Sequence, residues 1–119
     1  MNESVDRRSA KRHYKESHRP MGVFQVRNTV NGKVFIDSSP NLPAIFNRIR
    51  MQLKTGSYLK HPELQKDWNE HGSDAFEFEV LEELEPSDAP GWDSADDLAA
   101  LLEIICEQRQ PYGDAGYNR

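Results

Sequence analysis

The side chains able to do chemistry in this 119-residue chain are mostly cations and carboxylates, and they are sorted unevenly along it. Residues 1–60 hold 12 Lys/Arg against 4 Asp/Glu, whereas residues 61–119 hold 3 against 16. The net charge of −5 therefore hides a basic half that can neutralise phosphates, because screening confines each patch to about a Debye length. Its cations include Arg7, Arg8, Lys11, Arg12, Lys15 and Arg19 near the N-terminus, then Arg48 and Arg50. With exposed aromatic rings able to stack on bases, they point to nucleic-acid binding, and Arg12, Lys15, Arg48 and Arg50 are candidate contacts. Other chemistries find little footing. His13, His18, His61 and His71 lack zinc-ligand spacing and have no cysteine to join them, and neither a glycine-rich phosphate loop nor a Ser/His/Asp set stands out. The single cysteine, Cys106, excludes an intrachain disulfide framework and reads as a buried thiol among Leu101, Leu102, Ile104 and Ile105.

The elements that must position these groups are legible from periodicity and punctuation. One soluble domain at residues 21–119, preceded by a basic, flexible arm at 1–20, is expected from length and from the lack of an apolar period in the arm. The polar N-terminus lacks the apolar run of about seven residues that a secretory signal needs, and no long apolar run spans a membrane, so the protein is expected in the cytoplasm. Gly22–Asn28 and Lys33–Asp37 alternate apolar and polar residues around Asn31-Gly32, a strong hairpin signal. A two-residue turn would pair Val30 with Lys33 and Asn28 with Phe35. That register puts Phe24, Phe35, Asp37 and Ser39 on one face and Val23, Val34 and Ile36 on the other. Leu42, Ile45, Phe46, Ile49 and Leu53 predict a helix from Asn41, with Pro43 in its first turn and Gly56 past its end. A short helix follows from about Pro62 to Glu70, closed by Gly72. Phe76, Phe78 and Val80 then alternate with glutamates as a third strand. A linker from Glu85 to Asp93 leads to a last helix capped by Ser94, and Pro111–Arg119 reads as an extended tail. The order ββααβα means an α+β sandwich: a three-stranded antiparallel sheet flanked by helices.

Three stretches of this chain resemble the GIY-YIG endonucleases, in the branch similar to homing endonucleases. They are the hairpin Gly22-Val23-Phe24 to Val34-Phe35-Ile36-Asp37 with its Asn31-Gly32-Lys33 turn, the run Leu64–Gly72, and Phe76–Leu84. The resemblance covers roughly Gly22 to Asn118. It implies phosphodiester hydrolysis by two tyrosines that shape and deprotonate a water site, an arginine that steadies the phosphate, and a glutamate that holds a divalent metal. Such chemistry needs an activated water, neutralised equatorial oxygens and a Lewis acid. The tyrosine positions match Phe24 and Phe35, which cannot move a proton. The glycine after the second motif matches Asp37, a like charge beside phosphate, and the arginine position matches Ile45. Arg48, one turn further on, could serve in its place. Glu103 and Asn118 match the family's glutamate and asparagine, so Mg2+ or Mn2+ would be held through Glu103, with Asp37 as a second carboxylate in a rearranged site.

Three functions follow. The first is a catalytically degenerate GIY-YIG-like module that binds DNA or other nucleic acid, through the cations above and Asn118, or regulates. The second is a weak metal-dependent endonuclease using Glu103 and Arg48. The third is a protein-interaction module whose apolar hairpin face, through Phe24 and Phe35, packs on a protein partner or forms a homodimer.

Overall fold

The computed structural model describes residues 20–118. The expected arm, with Arg12 and Lys15, lies outside them. Strand β1 (Met21–Asn28) is central, with β2 (Val34–Ser39) antiparallel on one side and β3 (Phe76–Leu84) antiparallel on the other. Helices α1 (Leu42–Thr55) and α2 (Pro62–His71) lie between β2 and β3 in sequence, and α3 (Ser94–Arg109) follows β3. This is the expected α+β order. No helix among the described residues is long and apolar enough to cross a membrane.

The hairpin departs from the two-residue turn. Gly32 donates to the Asn28 carbonyl, and Asn28 donates to Lys33 O, so Thr29 to Gly32 form a four-residue loop. Asn28 Oδ1 accepts from Val30 N, and Asn31 Oδ1 from Lys33 N, each at 2.9 Å. These Asx contacts satisfy loop amides that a tighter turn would have aligned differently. The pairs are Val26 with Phe35 and Phe24 with Asp37. Because the slip is an even number of residues, each side chain keeps the face read from the sequence.

The two faces carry separate cores. Phe24, Val26 and Phe35 pack under α1 and α2, against Leu42, Ile49, Leu53 and Leu64, while Val23 and Ile36 pack under α3 against Ile105 and Cys106. A bulge in β3 lets both faces stay apolar. Val23 pairs with Glu82 but Phe24 with Val80, and the extra residue, Leu81, turns to the α3 side. Gly22 sits beside this bulge, where a Cβ would come 2.0 Å from the Glu82 carbonyl oxygen, so only glycine fits.

Caps set the helix ends. Asn41 Oδ1 accepts from Ala44 N at 3.2 Å, and Gly56, at φ +75°, closes α1 by donating to the Gln52 and Leu53 carbonyls. The cap of α3 is Asp93, not the expected Ser94: its carboxylate accepts from Ala95 N at 3.0 Å, and its charge suits the helix N-terminus. Asp97 instead accepts from the Trp92 indole at 2.8 Å.

The tail is not simply extended. After a 3₁₀ turn at Gly113–Ala115, Gly116 bridges to Val34 and Tyr117 N donates to Val34 O at 2.9 Å. Asn118 Nδ2 donates to Ile36 O at 2.7 Å, and its Oδ1 accepts from Ile36 N at 2.9 Å, so the outer edge of β2 is covered. Tyr117 becomes a core residue, 4% exposed. The outer edge of β3 carries Glu77, Glu79, Glu82 and Glu83, the first two paired with Arg27.

Candidate active site and nucleic-acid interface

Alternation assigns Phe24 and Phe35 to one face of the hairpin, and the helices then decide that this face is inside. The two side chains are 0% and 2% exposed. Phe24 meets Phe35 and Phe46 edge to face, with centroids 6.2 and 5.4 Å apart, and Phe35 also meets the rings of Tyr58 and His61 at 6.4 and 4.4 Å. Each buried ring stabilises the fold by roughly 1.5–3 kcal/mol. This corrects the expected interaction face: α1, α2 and their connection cover the apolar surface that a partner was to occupy.

Beside these rings opens a cleft of about 330 Å³, bounded by the end of β2, one side of α1 and the α1–α2 connection. It brings together Asp37, Ile45 and Arg48 with Gln52, Tyr58 and Lys60. Ile45 and Arg48 share it because residues three apart stand on one helix face. Arg48 and Lys60 form no ion pair among the described residues and are exposed, leaving their charge to a ligand. The half-buried Asp37 accepts through Oδ1 from Ser38 N at 2.8 Å, which fixes its carboxylate at the strand end. Burial pushes the Tyr58 hydroxyl up to about 12, and the charge of Asp37 adds to the rise. At neutral pH Tyr58 is therefore a hydrogen-bond donor and not a base.

The other expected residues do not converge on this cleft. Arg50 stands on another side of α1, its guanidinium 4.3 Å from the centroid of the Phe78 ring, along a separate groove of about 370 Å³ with Phe46, Val80 and Glu83. Arg48 and Arg50 thus serve two surfaces. Glu103 is exposed on α3, one turn before Cys106 and outside the cleft lining. Burial pushes the Cys106 thiol up, a Tyr112 hydrogen bond opposes this, and the charge of Asp37 adds to the rise, so this part of α3 does feel the cleft's carboxylate. Both halves of the Asn118 amide are taken by the backbone of Ile36.

Glu103 offers one exposed carboxylate, and magnesium bound by one or two carboxylates completes its shell with phosphate oxygens and water. Glu103 therefore suits an ion that arrives with a phosphodiester. The three-ligand group among the described residues lies elsewhere, on α2, where Asp67, Glu70 and His71 bring ligand atoms within 4.8 Å of one another. Their spacing of three and four on a helix is legible in the sequence. Unforeseen is the tie around Asp67: its Oδ2 accepts from the Tyr117 hydroxyl at 2.6 Å, and that hydroxyl accepts from Asn28 Nδ2 at 3.1 Å. Burial first, then the Asp67 bond, push the Tyr117 hydroxyl up.

The central hairpin, the helix pair over one face, the single helix under the other and the placement of the signature positions define a GIY-YIG endonuclease-like domain. Its relatives are specific. Intron-associated endonuclease 1 of Enterobacteria phage T4 is 33% identical over 63 residues, which are 53% of this chain and 25% of that protein. The match thus spans a quarter of that relative. Among solved structures, a mutant of the catalytic domain of intron endonuclease I-TevI is similar at a TM-score of 0.67 and 25% identity, over 83% of this chain and 92% of that one. A second structure, of the catalytic domain of homing endonuclease I-TevI, is similar at 0.66 and 26%, over 82% and 96%. No protein-family profile matches the chain.

Proposed function

We propose that this domain binds nucleic acid at the cleft between β2 and α1 without performing the hydrolysis that the resemblance implies. The observation that carries the reading is the burial of phenylalanine at both tyrosine positions beside a cleft where Ile45 replaces arginine while Arg48 and Lys60 keep positive charge. General acid–base catalysis is worth about 10²- to 10⁴-fold, and a preorganised electrostatic donor about 10²- to 10³-fold. Groups acting as a unit do not multiply simply, but losing both leaves little chemistry. Phosphate attraction tolerates the change, because it needs charge more than geometry. Arg12 and Lys15, outside the described residues, are further candidate phosphate contacts, and we place the action in the cytoplasm. In the test, supercoiled and branched DNA are incubated with Mg2+ and Mn2+ and with wild type or Glu103→Ala, while binding is followed against salt. Binding that weakens steeply with salt, with no nicking by either protein, is expected. Affinity independent of salt would overturn the reading.

A second reading, a weak metal-dependent endonuclease, is favoured by one observation: Arg48 lines the same cleft as Ile45. It requires a divalent cation held by Glu103 with the substrate phosphate. Nicking that disappears in Glu103→Ala would establish it, and nicking that persists would assign the activity elsewhere.

A further inference from the structure

The lining of the cleft between β2 and α1 is not that of a plain phosphate groove. Ile49 and Tyr58, 2% and 5% exposed, give it an apolar interior, and Leu59, 79% exposed, stands at its mouth. Arg48 and Lys60 are exposed at the same mouth, while Asp37 is half-buried and places a carboxylate within. A carboxylate repels phosphate but accepts hydrogen bonds from N–H groups. An occupant that satisfies all of these features has an apolar face, an edge of donors and an anionic tail. The volume of about 330 Å³ lies at the small end of ligand pockets and admits one nucleotide, not a duplex.

We propose that the cleft takes one unpaired guanine nucleotide: the base lies against Tyr58 and Leu59, its pairing edge meets Asp37, its own phosphate sits at Lys60, and the next phosphate of the strand sits at Arg48. The proposal rests on the nucleic-acid reading of this cleft and names what enters it. Guanine alone among the common bases presents two adjacent donors, N1–H and N2–H, on its pairing edge, matching the two oxygens of a carboxylate. Adenine and cytosine set a ring acceptor beside their amino group, and the N3–H of thymine is flanked by carbonyls, so Asp37 meets a lone pair in each. The bond from Ser38 N leaves acceptor capacity on Asp37, since an ionised carboxylate has about four lone-pair sites. Gln52, whose side-chain amide makes no hydrogen bond among the described residues, supplies a donor for the guanine carbonyl. Reading an unstacked base by its pairing edge, between apolar and aromatic side chains, is a recurring solution in proteins that handle single nucleotides.

The experiment measures fluorescence anisotropy of a short labelled oligothymidine with one central guanine, against the same strand with adenine or thymine there, at fixed salt. Free 5′-GMP and guanosine serve as competitors, separating a nucleotide within a strand from a free one. The guanine strand should bind on the order of 10-fold more tightly than the others, the size of one good bidentate pair. Asp37→Asn should erase that gap, and GMP should compete better than guanosine by a margin that shrinks in Lys60→Ala. The comparison of bases in the wild type needs no variant and stands if Asp37→Asn fails to fold. Equal affinity for all three strands, or a preference that survives Asp37→Asn, would overturn the proposal. Tight binding of all three strands without base preference would end this proposal and leave the nucleic-acid reading in place. No binding of any strand would end both.

Discussion

Removing the two cations of the cleft together, in Arg48→Ala/Lys60→Ala, gives a change in binding whose size follows from the structure. Neither side chain is ion-paired among the described residues, so each is free to neutralise one phosphate and release its counterion. Each neutralised phosphate contributes about 0.7 to the slope of log affinity against log salt for a single strand. The pair then accounts for about 1.4, so a fourfold rise in salt should weaken wild-type binding about sevenfold more than binding by the double variant. The assay is anisotropy with one single-stranded probe over a salt series. Arg27→Ala is the control: its guanidinium is already held by Glu77 and Glu79, and its loss should leave the slope alone. A double variant with the wild-type slope and affinity would show that nucleic acid does not lie across this cleft, and the assignment of Arg48 and Lys60 would fall.

Two further expectations concern the scaffold. Tyr117→Phe removes a hydroxyl bonded to a carboxylate and strands the Asn28 amide in the core, so it should cost about 2–4 kcal/mol in urea unfolding; a loss below about 0.5 kcal/mol would mean the tail is not docked as described. Stability should also fall at alkaline pH: an unfolded tyrosine releases its proton near 10.0, whereas folded Tyr58 holds it to about 12 and Tyr117 is raised as well. The unfolded chain then binds fewer protons, so their contribution is complete below pH 10 and declines as pH rises towards 12. A urea midpoint flat over that window, or unaltered in its pH dependence by Tyr58→Phe, would contradict the burial of these hydroxyls.

Much of the scaffold was legible because its signals are local. Asn41, Pro43 and Gly56 bound α1 through caps that need only neighbouring atoms, and hairpin parity survived a wrong register because it depends on odd and even positions alone. What alternation cannot say is which face another element will cover, and so Phe24 and Phe35 were expected at the surface. The site was legible where a helix sets it, since Ile45 and Arg48 are one turn apart. Tyr58, Leu59 and Lys60 lie in the connection after α1, where no period marks a residue as facing anything. Tyr117 and Asp67 are separated by 50 residues, and a bond across that distance leaves no trace in sequence spacing.

The strap of Gly116 to Asn118 along β2 also bears on how the domain behaves in a crowd. A sheet border with unsatisfied backbone groups is a template for polymerisation, and the two borders here are protected by different means. On β3 a bulge and a row of glutamates repel an incoming strand. On β2 the strand offers Val34, Phe35 and Ile36, with no charge until Asp37, and among the described residues the strap alone occupies the amides and carbonyls of its outer edge. A chain trimmed before Gly116 would expose a bare apolar border and should stack edge to edge into aggregates, which makes the last few residues a guard on solubility.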